Sequence, residues 1–304
     1  MSIPERSFLF RHKLISALRD WDVRGIRRLS VTLPKLLLPD PRTVGKHVLK
    51  TIHGVKVLID PSVDQGVELS LFETGTYEKG TIQLLKQFLE PGATFLDIGA
   101  NIGLMSVIAS RFTGKKGKVY AVEANPGTIP ILQTNVTLNG CEQVEIIPVA
   151  LSDKQGTALL FENWEVNRGG ASLISQSDRQ QGIEVKMERL DDLFDPDTPV
   201  QLVKIDVEGY ETEVIRGAKG TVSTSNTDLR IVLMELRGHG SRYGFDERNV
   251  HKEMLANGFE SFEYNPFTRS LILRPQDELG DMIYIRDIAF VRERIAGAGE
   301  FRLN

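Results

Sequence analysis

One stretch, Thr94-Phe-Leu-Asp-Ile-Gly-Ala-Asn-Ile-Gly103, constrains the fold more than any other part of the chain. A short apolar run reaches Asp97, two glycines bracket a tight turn, and Leu104, Val107 and Ile108 then recur at helical spacing. The pattern is strand, Gly-rich turn, helix. It is the corner of an open α/β sheet, where ligands sit beyond the carboxyl ends of the strands. The spacing Gly99-x-x-x-Gly103 is not the G-x-G-x-x-G that brings backbone amides onto a pyrophosphate. A carboxylate at Asp97 also repels phosphate and suits a ligand carrying an ammonium or a sulfonium. S-adenosylmethionine carries both and has no phosphate. Further on, Val119-Tyr-Ala-Val-Glu123 is a second strand ending in an acid, the usual partner of ribose hydroxyls.

With 304 residues, 41% hydrophobic and 26% charged, the chain has core enough for one large globular domain with additions. A net charge of −4 argues against nucleic acid as the main partner. Cys141 is the single cysteine, which leaves no intramolecular disulfide and no Cys-rich zinc site. No apolar run reaches the roughly 18 residues of a membrane span, and the N-terminus lacks a signal-peptide core. The cytoplasm is the expected location.

Charge is unevenly spread. Residues 1–50 hold eleven Lys/Arg against four Asp/Glu, +7, leaving −11 for the remainder. We read 1–50 as a basic, largely helical extension and 51–304 as the main domain. Within the extension, Phe8 to Leu18 mixes bulky apolar and basic residues as an amphipathic helix does. Two readings follow: a helix packed on the domain with its Arg side outward, or an arm (residues 1–40) touching an anionic surface at the inner membrane.

Along the domain, Val55–Asp60 reads as a strand and Lys79–Leu89 as a helix. Pro126 is expected to open a helix that stops at Asn139-Gly140. Val144–Ile147 is a third core strand, leading to Ala150-Leu-Ser-Asp153. Thr157–Phe161 and Ile183–Met187 read as an antiparallel pair around a long connection at 162–182. In Leu202-Val-Lys-Ile-Asp-Val-Glu-Gly209, period-two alternation sets Lys204, Asp206 and Glu208 on one face of a strand that Gly209 ends. Charges there point to a strand end opening into a cleft. Arg230–Glu235 is the next strand, again ending in an acid, and Gly238-His-Gly240 follows as a flexible loop carrying His239. Phe259–Tyr264, Ser270–Leu273 and Ile288–Val291 read as closing strands.

Taken together, Leu96-Asp-Ile-Gly-Ala-Asn-Ile-Gly103, Glu123-Ala-Asn-Pro126, Ala150-Leu-Ser-Asp153 and Val203-Lys-Ile-Asp-Val-Glu-Gly-Tyr-Glu211 resemble the FkbM family of S-adenosylmethionine-dependent methyltransferases. Tyr77-Glu78, Arg189-Leu-Asp-Asp192 and Arg216-Gly-Ala218 support the resemblance, which covers roughly residues 67 to 292.

The resemblance implies a class I methyltransferase fold: a Rossmann-like, seven-stranded mixed α/β sheet with helices on both faces and an antiparallel last strand. It implies O-methylation of hydroxyls on sugars, glycans or other metabolites. Asp97, Gly99, Asn101 and Gly103 would surround the methionine part of the cofactor. Glu123, with Asn125 beside it, would accept the ribose hydroxyls, Asp153 would accept the adenine amino group, and Asp206 would border the methyl. Tyr77, Glu78, Trp164 and Lys204 are expected on the acceptor side, with Asn163, Asn167 and Arg168 near Trp164. Methyl transfer from a sulfonium to a hydroxyl needs alignment and a base. The candidates are His239, Glu208, Glu235 and Asp206, with His239 placed first. No metal ligand is assigned, although such an acid cluster could instead hold a divalent cation. The competing functions are a nucleotide-sugar or NAD-dependent enzyme, which the absent G-x-G-x-x-G disfavours, an inactive methyltransferase-fold scaffold, and a methyltransferase for polyketide or nitrogen acceptors. Oligomeric state is not legible in the sequence.

Overall fold

The chain is described by a computed structural model covering residues 5–19, 36–162, 170–175, 181–195, 198–265, 270–275, 278–296 and 302–303. Strands β1 (His47–Lys50) and β2 (Lys56–Ile59) form an antiparallel hairpin. The parallel core begins with β3 (Thr94–Ile98), β4 (Lys118–Val122) and β5 (Val144–Ile147). After them, β6 (Ala150–Leu151), β7 (Gly156–Phe161) and β8 (Gly182–Glu188) make a small separate sheet. Then come β9 (Val200–Ile205), β10 (Ile231–Glu235), β11 (Glu260–Asn265), β12 (Ser270–Leu273), β13 (Asp281–Ile285) and β14 (Arg302–Leu303).

The large sheet runs β5-β4-β3-β9-β10-β13-β11-β12-β14. Its first five members are parallel, while β13 lies antiparallel to both β10 and β11. That is the expected seven-strand array, extended at one edge by β12 and the two-residue β14. β3 is buried along its whole length, and β9 and β10 nearly so, as strands covered by helices on both faces should be. Alternation divides their side chains. Phe95, Leu202 and Leu233 pack under the helices Lys79–Phe88 and Leu104–Thr113, whereas Leu96, Val203 and Val232 pack on the opposite face with Val214 and Met254. The chain order reverses between β3 and β9, so the ligand crevice falls at the carboxyl ends of those two strands.

Several expected elements shift. Ile288–Val291 is not a strand: it begins the helix Ile288–Ala296, and the closing strand is Asp281–Ile285. The Asp287 side chain accepts from Phe290 N at 2.9 Å, and buried Val291 and Ile295 recur at helical spacing. The helix expected from Pro126 starts at Ile129, with Pro130 in its first turn. Pro126 belongs instead to a turn in which Asn125 Oδ1 accepts from Gly127 N at 2.8 Å.

The helix Glu5–Arg19 packs on the domain. Ile15 and His12 are fully buried, and His12 Nε2 lies 2.6 Å from the Phe72 carbonyl oxygen. The β1–β2 hairpin straddles residue 50, where the extension was expected to end, and Asn135 fastens it to the domain by accepting from Leu58 N at 2.6 Å. No described helix is long and apolar enough to cross a membrane.

Candidate active site

β3 delivers Asp97 into the buried interior, where Ser106 donates its hydroxyl to Asp97 Oδ2 at 2.5 Å. Asp97 Oδ1 is buried and has no hydrogen-bond partner among the described residues. Burial pushes the Asp97 carboxyl up in pKa, against the pull of Lys204 and Ser106. Gly99 has φ +78, and a Cβ built there would run into the Asp206 carbonyl oxygen. Only glycine lets the turn after β3 lie directly on the segment after β9, a contact closed by Asp206 N donating to Ile98 O at 3.0 Å. Asn101, at φ +50, donates its backbone N–H to Glu123 Oε2 at 2.7 Å, and Asn125 N donates to Oε1 at 2.8 Å. One carboxylate thus ties together the turns that follow β3 and β4.

Lys204 on β9 is buried, with its Nζ 2.7 Å from Asp206 Oδ2. Burial works to lower the ammonium's pKa, but the carboxylates of Asp206, Glu78 and Asp97 outweigh it and the pKa is raised. Burial likewise works to raise Asp206, and the Lys204 ammonium more than reverses it. The strand ends at Ile205, so Asp206 and Glu208 are not part of an extended period-two face. They converge by a different device. Glu208 takes a left-handed conformation at φ +54, and the Glu211 carboxylate accepts from Val207 N and Gly209 N, both at 3.2 Å, holding the turn. Glu211 itself is pushed up to about 7, chiefly by burial.

Two adjoining cavities share this wall. The first, about 140 Å³, is lined by the polar groups of Asp97, Asn101 and Glu123 and by the apolar side chains of Val149, Leu151 and Leu160. The second, about 350 Å³, lies between the start of the helix Lys79–Phe88 and the ends of β10, β11 and β13. Glu78, Lys204 and Asp206 line both. Glu78 is another residue in the left-handed region, at φ +42, and burial raises its pKa while Lys204 opposes the rise. Glu235 lines the second cavity. Burial and the charge of Asp206 push it up to about 8, although Arg237 lies 2.9 Å away. Two neighbouring carboxyl groups therefore have pKa values driven apart, the arrangement that divides acid and base roles.

The other expected residues are distributed unevenly. Tyr77 lines the first cavity, as does Glu208, whose carboxyl is raised by burial and by Asp206. His239 lines neither cavity, and its Nδ1 is 3.5 Å from Glu208 Oε2. Its segment is no flexible loop: it is a 3₁₀ turn, His239–Tyr243, whose entry is fixed by the buried Glu247 carboxylate accepting from Gly238 N and Gly240 N. Asp153 is exposed outside the cavity, while Val149, Ala150 and Leu151 form the wall there. Trp164, Asn163, Asn167 and Arg168 lie outside the described residues. Ser106, Glu211, Glu247 and Tyr243 were not among the expected site residues; the Tyr243 phenol lies 2.8 Å from Ser172 Oγ and accepts from Leu173 N at 3.1 Å, which sets Leu173 in the lining of the first cavity. A Glu two residues past Gly209 was the available signal for Glu211. Tyr243 and Ser172 meet only through the fold. Among the described residues no cluster of three or more His, Cys, Asp or Glu side chains is arranged to hold a metal ion.

The sequence profile of the methyltransferase FkbM domain matches residues 97–261, more than half of the chain. The chain belongs to the FkbM methyltransferase family. Hexuronic acid methyltransferase AglP of Haloferax volcanii is 28% identical over 177 residues, which is 58% of this chain and 66% of that protein. A probable cobalt-precorrin-6B C(15)-methyltransferase (decarboxylating) of Sulfolobus acidocaldarius is 44% identical over 66 residues, 22% of this chain and 34% of its own length. These matches thus span between about a third and just under two thirds of the relatives themselves. Among solved structures, fibrillarin of Aeropyrum pernix with natively bound S-adenosyl-L-methionine aligns at a TM-score of 0.35 and 16% identity, covering 79% of this chain and 94% of that one.

The methyl donor that the family resemblance implies is S-adenosylmethionine, and the residues that would hold it line the first cavity. Asp97 Oδ1 and Asn101 Oδ1 are buried acceptors without partners, suited to an ammonium. Glu123, held by two backbone donors, would accept ribose hydroxyls, and Leu151, Leu160 and Leu173 would give an apolar slot for a flat base.

Proposed function

We propose that this methyltransferase acts on oxygen, transferring methyl to a hydroxyl of a sugar or glycan. The observation that carries the reading is the shared wall: Glu78, Lys204 and Asp206 line the donor cavity and also a larger polar cavity that reaches Glu235. S-adenosylmethionine, when bound, supplies a methyl on a sulfonium, already activated toward a nucleophile in line with it. The protein's share is alignment and removal of the hydroxyl proton. Alignment of bound partners is worth about 7–11 kcal/mol at best. For the proton, Glu235 is the best-disposed of the four candidates. It lines the second cavity, and a carboxyl poised near 8 is half ionised at about pH 8, within reach of the operating range where a base is most effective. Asp206, held as a carboxylate by Lys204, keeps the wall charged beside it. The sugar class is supported by the relative named for methylating hexuronic acid and by the many carboxyl groups of the second cavity, which accept hydroxyl hydrogens well.

The test is calorimetric titration with S-adenosylmethionine, S-adenosylhomocysteine and NAD, on the wild type and on Asp97→Ala, followed by assay of methyl transfer to simple glycosides. Micromolar binding of the two adenosyl ligands, lost in the variant, together with a methyl ether on a sugar product, is the expected result. Binding with transfer only to nitrogen or polyketide acceptors would overturn the sugar assignment. Silence toward both adenosyl ligands in a folded protein would point to an inactive scaffold.

A further inference from the structure

The second cavity has a charge balance that bears on its occupant. Its lining includes the carboxyl groups of Glu78, Asp206, Glu235, Glu263 and Asp281 and the cations of Lys204, Arg237 and Arg274. Each cation is already engaged. Lys204 Nζ is 2.7 Å from Asp206. Arg237 bridges two acids, at 2.9 Å from Glu235 and 2.5 Å from Asp281. Arg274, with 13% of its side chain exposed, sits 3.1 Å from Glu263 and 3.7 Å from Met282 Sδ. The cation is also confined from behind, because a Cβ at Gly280 would come within 2.8 Å of its guanidinium.

An acceptor bearing a carboxylate or phosphate would therefore find no unpaired cation among the described residues of the lining, and each of these cations would have to leave a carboxylate partner to receive it. Burying a charge unpaired is far more costly than burying a hydroxyl, and juxtaposed like charges discriminate strongly between partners. Hydroxyl groups face no such obstacle, since ionised carboxylates accept from them and a protonated Glu235 donates.

We propose that the second cavity is the acceptor site and that it selects an uncharged or amino-bearing polyhydroxylated ring, rejecting rings that carry a carboxylate or phosphate. The proposal rests on the sugar O-methyltransferase reading and departs from the hexuronic acid named for the archaeal relative. The ion pairs that occupy Arg237 and Arg274 are the selective elements, with Glu263 and Asp281 as positioning residues.

The experiment measures S-adenosylhomocysteine formation by the full-length protein with three probes of equal ring size: methyl glucoside, glucosamine and glucuronate. The wild type is expected to turn over the first two at least about tenfold faster than glucuronate. Glu263→Gln, which frees Arg274, is expected to shift the ratio toward glucuronate by about tenfold. Thr81→Trp fills the second cavity, since Thr81 lines it and not the donor cavity. It should abolish turnover in a protein that still titrates S-adenosylmethionine calorimetrically. Glucuronate used as well as methyl glucoside by the wild type overturns the charge selection and leaves the methyltransferase reading intact. Full turnover in Thr81→Trp overturns the location. If none of the three probes reacts in protein that titrates S-adenosylmethionine, the sugar reading fails and this proposal with it.

Discussion

Lys204 Nζ lies 2.7 Å from Asp206 Oδ2 in the wall between the two cavities, with Glu78 and Asp97 close enough to raise the ammonium's pKa as well. One buried cation thus compensates three carboxyl groups contributed by the ends of β3 and β9 and by the residue preceding the helix Lys79–Phe88. Lys204→Met removes the charge but keeps the stem. Breaking a buried pair by removing one partner typically costs about 3–5 kcal/mol, so a clear fall in melting temperature is expected. The Asp206 carboxyl, no longer held down, should take up a proton at higher pH. A variant with wild-type thermal stability would mean that Lys204 compensates nothing.

Glu235 links structure to pH. Its carboxyl, ordinarily 4.5, is pushed up to about 8 by burial and by Asp206. Between those values the folded chain holds a proton that the unfolded chain has released, so stability falls as pH rises across the window, with a slope of at most about 1.4 kcal/mol per pH unit. Glu235→Gln should flatten that decline in denaturant titrations from pH 5 to 8. In catalysis the ionised form is the base, so wild-type kcat should climb with pH toward a plateau above about 8. The Gln variant should lose about 10²–10⁴-fold with its S-adenosylmethionine affinity intact. His239→Ala, outside both cavities, should lose far less. The opposite ranking would return the base to His239.

The parallel core and part of the first cavity's lining were legible because their signals are local. Thr94–Ile98 is an apolar run closed by an acid and a glycine, and Glu123 follows its strand by one residue. The second cavity was not legible, because Glu235, Asp281 and Glu263 come from separate strands, and Arg274 from just past β12, and they meet only through the β10–β13–β11–β12 pairing. The pKa of Glu235 depends on the same tertiary neighbourhood. The exchange between Asp281–Ile285 and Ile288–Val291 has a simpler cause. Both are short apolar runs, which periodicity alone does not assign, and the deciding cue was the single N-terminal cap at Asp287.

Gly99 is expected to tolerate no side chain. Its φ of +78 already disfavours other residues, and an added Cβ would strike the Asp206 carbonyl, a backbone atom that cannot swing aside. Gly99→Ala must separate the turn after β3 from the segment after β9, which moves Asp97 and Asp206 apart. Calorimetry should show loss of S-adenosylmethionine binding together with a lowered melting temperature. Gly92 also has a positive φ, but a Cβ there would meet nothing within 4 Å. Gly92→Ala therefore serves as the control: it should lose some stability while keeping affinity. Retained binding in Gly99→Ala would disprove the tight crossing.

The N-terminal helix gives a final prediction, about its own docking. His12 is fully buried against the Phe72 carbonyl, its Nδ1 has no partner among the described residues, and burial lowers its pKa below the ordinary 6.5. In the folded state the ring is neutral and donates from Nε2. Below pH 6.5 the unfolded or undocked segment gains a proton that the docked one refuses, so docking weakens as pH falls. Hydrogen exchange over residues 5–19 should quicken between pH 7.5 and 5 relative to the core strand Thr94–Ile98. His12→Gln keeps a donor for the carbonyl without a titrating group, and should make the helix's relative protection independent of pH across that range. Equal pH dependence in the wild type and the variant would show that His12 does not control the docking.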